Sequence, residues 1–134
     1  MKRAIIILAA LGLALQASAQ KREYLEDKDE IQRRAIGQMA AALQPEGVLY
    51  KAVMKEHLTG SYDLQISFGD KGEMLSVQVL ERRGGDIPSQ NRFRQLVHEL
   101  RLNGFKTPKG KQYRIVQTFD LDALLLNNQN NNQQ

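Results

Sequence analysis

The chain has 134 residues, enough for one domain and too few for two. Cysteine is absent, which excludes disulfides, thiolate metal sites and a cysteine nucleophile. The formal charge is +4, or +2 if Lys2 and Arg3 leave with a leader, and it is unevenly spread: the stretch from Arg82 to Arg114 holds nine basic residues against Asp86 and Glu99, a lopsided field that bears on partners and not on fold.

Lys2-Arg3 precedes an apolar run from Ala4 to Leu15. Ala17-Ser18-Ala19 then offers small residues before a cleavage point at Gln20, the pattern of a secretory signal peptide over residues 1–19. Gln16 ends the run short of the ~20 apolar residues a membrane anchor needs. The expected mature protein is exported, to the periplasm or beyond, with no stable membrane span.

Lys21 to Leu43 reads as an amphipathic helix. Ile31, Ala35, Met39 and Ala42 or Leu43 recur at helical spacing, and Ile36 and Ala40 widen the stripe. Gln44-Pro45-Glu46-Gly47 breaks it. A second helix is predicted from Val48 to Leu58, with Val48, Ala52, Val53 and Leu58 inward and Thr59-Gly60 as its stop. Tyr62, Leu64, Ile66 and Phe68 then alternate with polar residues, the period of a half-buried strand. Gly69-Asp70-Lys71-Gly72 reverses the chain, and Leu75, Val77 and Val79 alternate with Ser76 and Gln78. The two runs make a β-hairpin, which is marginal alone in water and needs covering.

After a polar connection, Ser89 is the expected N-cap of a helix carrying Phe93, Leu96, Val97 and Leu100 on one face, with Asn103-Gly104 as its stop. Lys106 to Gln112 reads as a basic loop. Tyr113, Ile115 and Phe119 alternate with Arg114, Val116 and Thr118 in a third strand. Asp122 to Leu126 predicts a last helical or irregular turn, and the Asn/Gln tract from Asn127 onward is expected to be disordered because it can bury nothing.

The order α-α-β-β-α-β predicts an α+β fold: a two-layer sandwich of a three-stranded antiparallel-type sheet with helices on one face. The last helix is a crossover that sets the third strand beside the first, on a sheet edge. The expected division is an N-terminal helix over residues 20–46, a domain over 47–121 and a disordered tail over 122–134.

Catalytic signals are weak. His57 and His98 lie near helix ends, where solvated histidines are common. His98-Glu99 lacks the second histidine of a zinc helix. Asp120 and Asp122 have no third ligand in view and read as a strand end. Neither a Gly-rich phosphate loop nor a nucleophile elbow is present. No enzyme activity, metal or cofactor is expected. Arg82, Arg83, Lys109 and Lys111, with Arg92, Arg94, Arg101, Lys106 and Arg114, are expected to share one face. That face is either a solubilising surface or a patch for an acidic peptide, a lipid headgroup or a polyanion. Nucleic acid is disfavoured because aromatics do not interleave with the charges.

LQISFGDKGEMLSVQVL resembles the first hairpin of the C-terminal domain of the energy-transducing protein TonB and its TolA-like relatives. SQNRFRQLVHELRLNGFKTPKGKQYRIVQTFDL is similar to that family's helix, Phe-x-x-Pro segment, glycine loop and third strand. Asp70, Gly72, Phe105, Pro108, Gly110, Tyr113, Ile115 and Phe119 carry the match, which covers roughly residues 48–121. The resemblance implies a domain that accepts an extended peptide by strand addition at its sheet edge. The matching positions are Tyr113, Arg114, Ile115, Val116, Gln117, Thr118 and Phe119. The partner so implied is a peptide or protein, such as an outer-membrane or other envelope component, or a second copy pairing into a homodimer. The alternative from another class is a structural subunit of an envelope assembly that docks through the helix over residues 21–43.

Overall fold

The computed structural model describes residues 23–132; the expected leader and its cleavage point lie outside them. The alternation of Tyr62, Leu64, Ile66 and Phe68 forms strand β2 (Ser61–Phe68), and all four side chains are buried. Strand β3 (Met74–Arg83) pairs with it antiparallel through the Gly69–Gly72 turn, where the Gly69 N–H donates to the Glu73 carbonyl at 3.0 Å. Strand β5 (Tyr113–Asp120) pairs antiparallel on the other side of β2, so the sheet runs β3-β2-β5. The first strand of the hairpin is central and the last strand lies on an edge, as the crossover predicts.

The remaining elements are β1 (Glu23–Tyr24), α1 (Lys28–Ala42), α2 (Val48–Glu56), α3 (Ile87–His98), β4 (Phe105–Lys106) and α4 (Leu121–Asn132). The molecule is a two-layer α+β sandwich: α3 packs against β3 and α1 against β5, on the face of the sheet that carries the apolar alternation. Phe93 of α3 sits between the two layers, its ring 6.0 Å from Tyr62 and edge-on to Phe119 at 5.4 Å.

Several local expectations are corrected. Glu23 and Tyr24 are not helical. They pair in parallel with Phe105 and Lys106 as a second, two-stranded sheet, and Leu25 is buried behind them. The strand partner lies some eighty residues downstream, so no local pattern announces it. The stripe of α1 narrows to Ile31, Ala35 and Met39, fully buried, while Ile36 and Ala40 are exposed. The described part of that helix lays this stripe against the sheet. In α2 the inward positions are Leu49 and Val53, not Val48, which is exposed. The entry sets this phase. Gly47 is the N-cap, pressed so close to the end of α1 that a Cβ there would lie 2.2 Å from the Ala42 carbonyl oxygen.

Strand β3 departs from strict alternation. Its register with β2 slips twice, so that Phe68 opposes Met74, and Leu64 opposes Val79 while Asp63 opposes Glu81. Leu75 and Leu80 are the extra residues of these two bulges, and both are exposed, whereas Met74 takes the buried place expected of Leu75. The N-cap of α3 is Asp86 and not Ser89. The Asp86 carboxylate accepts from the Ser89 N–H at 2.7 Å, and Ser89 itself is buried, its hydroxyl oxygen accepting from the Thr59 N–H.

The chain after Asp120 is helical to Asn132, where disorder is expected from Asn127 onward. Asp120 starts it by accepting from the Ala123 N–H at 3.1 Å, and Leu121 is fully buried beneath it. One capped, anchored turn supplies the costly nucleus, and polar residues then propagate the helix.

Candidate functional site: the open edge of β5

Strand β5 presents two different lines of main-chain groups. Leu121 N–H, just beyond its end, donates to the Gly60 carbonyl at 2.9 Å, so the odd-numbered residues direct their main-chain groups at β2. The carbonyl of Arg114 instead accepts from Gln32 Nε2 of α1 at 2.7 Å, so the even-numbered residues face away from the sheet. In an antiparallel ladder the two sets alternate residue by residue. Arg114, Val116 and Thr118 therefore offer their N–H and C=O groups at the edge, and Tyr113, Ile115, Gln117 and Phe119 spend theirs inside the sheet.

The side chains divide in the same way. Tyr113, Ile115 and Phe119 are buried, with Tyr113 stacked on Phe68 at 5.6 Å. Burial raises the Tyr113 phenol above its ordinary value. Gln117 is turned toward α1, its amide 3.5 Å from the Ile36 carbonyl. Arg114, Val116 and Thr118 are exposed on the opposite face. The seven residues expected to act alike, Tyr113 to Phe119, divide into two sets. Four of them are built into the core and the ladder, and three form the edge.

Helix α1 contributes residues that nothing in the linear sequence attaches to this strand. Lys28 and Gln32 join Ser67, Gln112, Arg114 and Val116 around a shallow groove of about 560 Å³. By capping the Arg114 carbonyl, Gln32 closes the start of the edge and leaves Val116 and Thr118 as the stretch with no main-chain partner among the described residues.

The two edges of the sheet are not equivalent. Strand β5 keeps register with β2 over eight successive pairs, Ser61 with Asp120 through Phe68 with Tyr113, without a shift. Strand β3 is broken by its two bulges and ends in the charged run Glu81-Arg82-Arg83. Bulges and charges are the usual means of making an edge unfit for pairing.

On the outer face of the sheet, Asp63 ties all three strands together. Its carboxylate accepts from Arg83 of β3 at 2.7 Å and from the Thr118 hydroxyl of β5 at 2.7 Å. The Arg83 guanidinium, then the Thr118 hydroxyl, holds the carboxyl at about 2, well below the ordinary 3.8. A depressed carboxylate contributes stability that is present above about pH 4 and is lost as the pH falls through about 2. Asp63→Asn is expected to melt at a lower temperature than wild type near neutral pH, with the gap closing as the pH approaches about 2. Thermal melts across that range check this; a gap that stays constant with pH would show that the carboxylate charge is not what is lost.

The expected basic patch is divided. Arg82 and Arg83 stand at the end of β3 opposite Tyr62 and Ser61, while Lys109 and Lys111 precede Tyr113, which lies beside Phe68. The seven steps of β2 between those ends span about 23 Å at ~3.3 Å per residue, so the four are two groups. Arg83 is also engaged by Asp63 and Glu81, and Arg92 by Glu56 at 2.7 Å.

The histidines and the Asp120/Asp122 pair have structural settings. His57 closes α2 in the left-handed region at φ 53°, and His98 is in the last turn of α3. Asp120 caps α4, and Asp122 accepts from the Gly60 N–H at 2.8 Å. Among the described residues no group of three or more His, Cys, Asp or Glu is placed to hold a metal ion, and no helix is long and apolar enough to cross a membrane. Comparison of the chain with protein-family models, curated proteins and solved structures finds no match in any of the three.

Proposed function

We propose that this protein is a non-enzymatic binding module of the TonB C-terminal type, which captures an extended peptide or partner strand along β5. The observation that carries the proposal is the contrast between the edges: β5 is straight and in register, with the main-chain groups of Val116 and Thr118 unpaired by any strand among the described residues, whereas β3 is bulged and charged. A peptide laid beside β5 would bond to those groups, and its alternate side chains would meet Val116 and the groove beneath Arg114. Lys28 and Arg114 at that groove favour an acidic peptide and would speed its encounter. A leader that directs export would bring the module to partners of the cell envelope. A second copy could use the same edge to form a homodimer, an alternative occupant that sedimentation would reveal.

The test is Val116→Pro. The Val116 N–H points away from β2, so proline removes an edge donor and no bond of the internal ladder; edge positions are where strands tolerate it. The variant is expected to keep a cooperative melt and to lose at least tenfold in affinity for extended acidic peptides selected on wild type from a displayed library, and to lose any self-association. A folded variant that binds and associates like wild type would rule out this edge. Docking through α1 as a subunit of an envelope assembly is the weaker proposal, because the stripe it requires, Ile31, Ala35 and Met39, is covered within the domain.

A further inference from the structure

A second concave site lies away from β5. The turn between β2 and β3 and the connection between α3 and β4 face each other across a cleft of about 420 Å³, within the range of small-molecule sites. Lys71 comes from the turn, and Arg101, Lys106 and Lys109 from the connection and beyond; Asp70 is the one carboxylate in the lining. The cleft is held open by main chain. Leu102 N–H donates to the Gly72 carbonyl at 2.9 Å, and Glu73 bridges to Arg101. The approach is so close that a Cβ on Gly72, at φ +78°, would sit 2.2 Å from the Leu102 carbonyl oxygen.

Two independent features set this cleft apart. Arg33, Arg34, Lys51, Arg83 and Arg92 each pair with a carboxylate, while among the described residues Lys28, Lys55, Arg82, Arg94, Lys111 and Arg114 do not, so what distinguishes the cleft is that four such cations line one concavity. Among the described residues, none of the four cations of the cleft has a carboxylate within 4.0 Å. The lining also includes Thr107, which is 6% exposed and whose hydroxyl has no hydrogen-bond partner among the described residues. A buried hydroxyl without a partner is costly, and a cleft lined mainly by one sign of charge concentrates counter-ions. One anionic occupant answers both.

We propose that this cleft binds a small polyanion bearing two or more phosphate groups, free in solution or as the headgroup of a lipid. A single carboxylate would leave most of the cationic excess unanswered. A polyphosphate matches it with many acceptor oxygens, which Arg101 engages as a fork and the lysines as point charges. Thr107, whose hydroxyl is sealed from solvent as the cleft stands, would turn it to one of those oxygens. The cleft shares no lining residue with the β5 groove, so the two sites are tested apart.

Tripolyphosphate titrated into the chain lacking residues 1–19 is expected to give saturable amide shifts concentrated in residues 70–73 and 101–109, and a higher melting temperature. Lys106→Gln with Lys109→Gln should weaken binding at least tenfold, and Thr107→Val roughly tenfold. Lys51→Gln with Lys55→Gln, which removes the same charge from α2, should change it less than twofold, and Val116→Pro should not change it. Vesicles of phosphatidylcholine carrying a bisphosphorylated headgroup lipid distinguish the sources: co-sedimentation that the cleft variants abolish assigns the lipid, and its absence assigns the free anion. Binding that weakens equally in the α2 control, equal affinity for citrate, or no saturable response to either probe would overturn the proposal.

Discussion

Replacing Phe93 with alanine is expected to lower the unfolding free energy by about 3–5 kcal/mol, the range for deleting a fully buried phenylalanine. The ring is completely buried and is the point where α3 meets two strands at once, through Tyr62 of β2 and Phe119 of β5. Nothing nearby can close over its volume without moving one of those strands, because both rings it touches are themselves fixed in the sheet. A domain of this size is stable by about 5–15 kcal/mol, so the variant should sit close to unfolding at physiological temperature. Urea denaturation of Phe93→Ala beside Leu126→Ala, an exposed residue of α4, measures the difference. A loss under about 1 kcal/mol for Phe93→Ala would mean that α3 does not seat on the sheet as described.

Removing residues 20–46 is expected to abolish cooperative folding. That segment supplies Leu25, Ile31, Ala35 and Met39 to the core, and Gln32 and Gln38 to ties with distant main chain. Gln38 both donates to the Asn103 carbonyl at 2.5 Å and accepts from the Asn103 N–H at 3.0 Å, fastening α1 to the connection after α3. Without α1 the apolar face of β5 is laid bare. Burying one large aliphatic side chain contributes about 1.5–3 kcal/mol, so losing Ile31 and Met39 alone approaches the whole margin. Far-ultraviolet circular dichroism and a thermal melt of the truncated chain decide the matter. A truncated chain that melts cooperatively at the wild-type temperature would return the helix to the role of a docking element.

Which amides of β5 point outward is set by contacts and not by pattern. Period two in residues 113–119 places side chains on faces but is silent about main-chain direction. The 2.7 Å bond from Gln32 to the Arg114 carbonyl and the Leu121 bond to Gly60 fix it. Amide exchange in the unliganded monomer should accordingly alternate, with Val116 and Thr118 fast and Ile115 and Gln117 protected.

The sequence by itself determined the hairpin, the amphipathic face of α3, the alternation of β5 and hence the sheet order, because each depends on periodicity within one short run and on which apolar face must be covered. Tertiary structure alone decided the rest. The two bulges that expose Leu75 and Leu80 arise from pairing register across strands. The phase of α2 follows from Gly47 pressed against α1, and β1 exists only because Phe105 and Lys106 lie beside it. The same holds for the two candidate sites: Lys28 and Gln32 reach β5, and Lys71 joins Arg101, only through close approaches of segments far apart in the chain, and no local composition carries that distance.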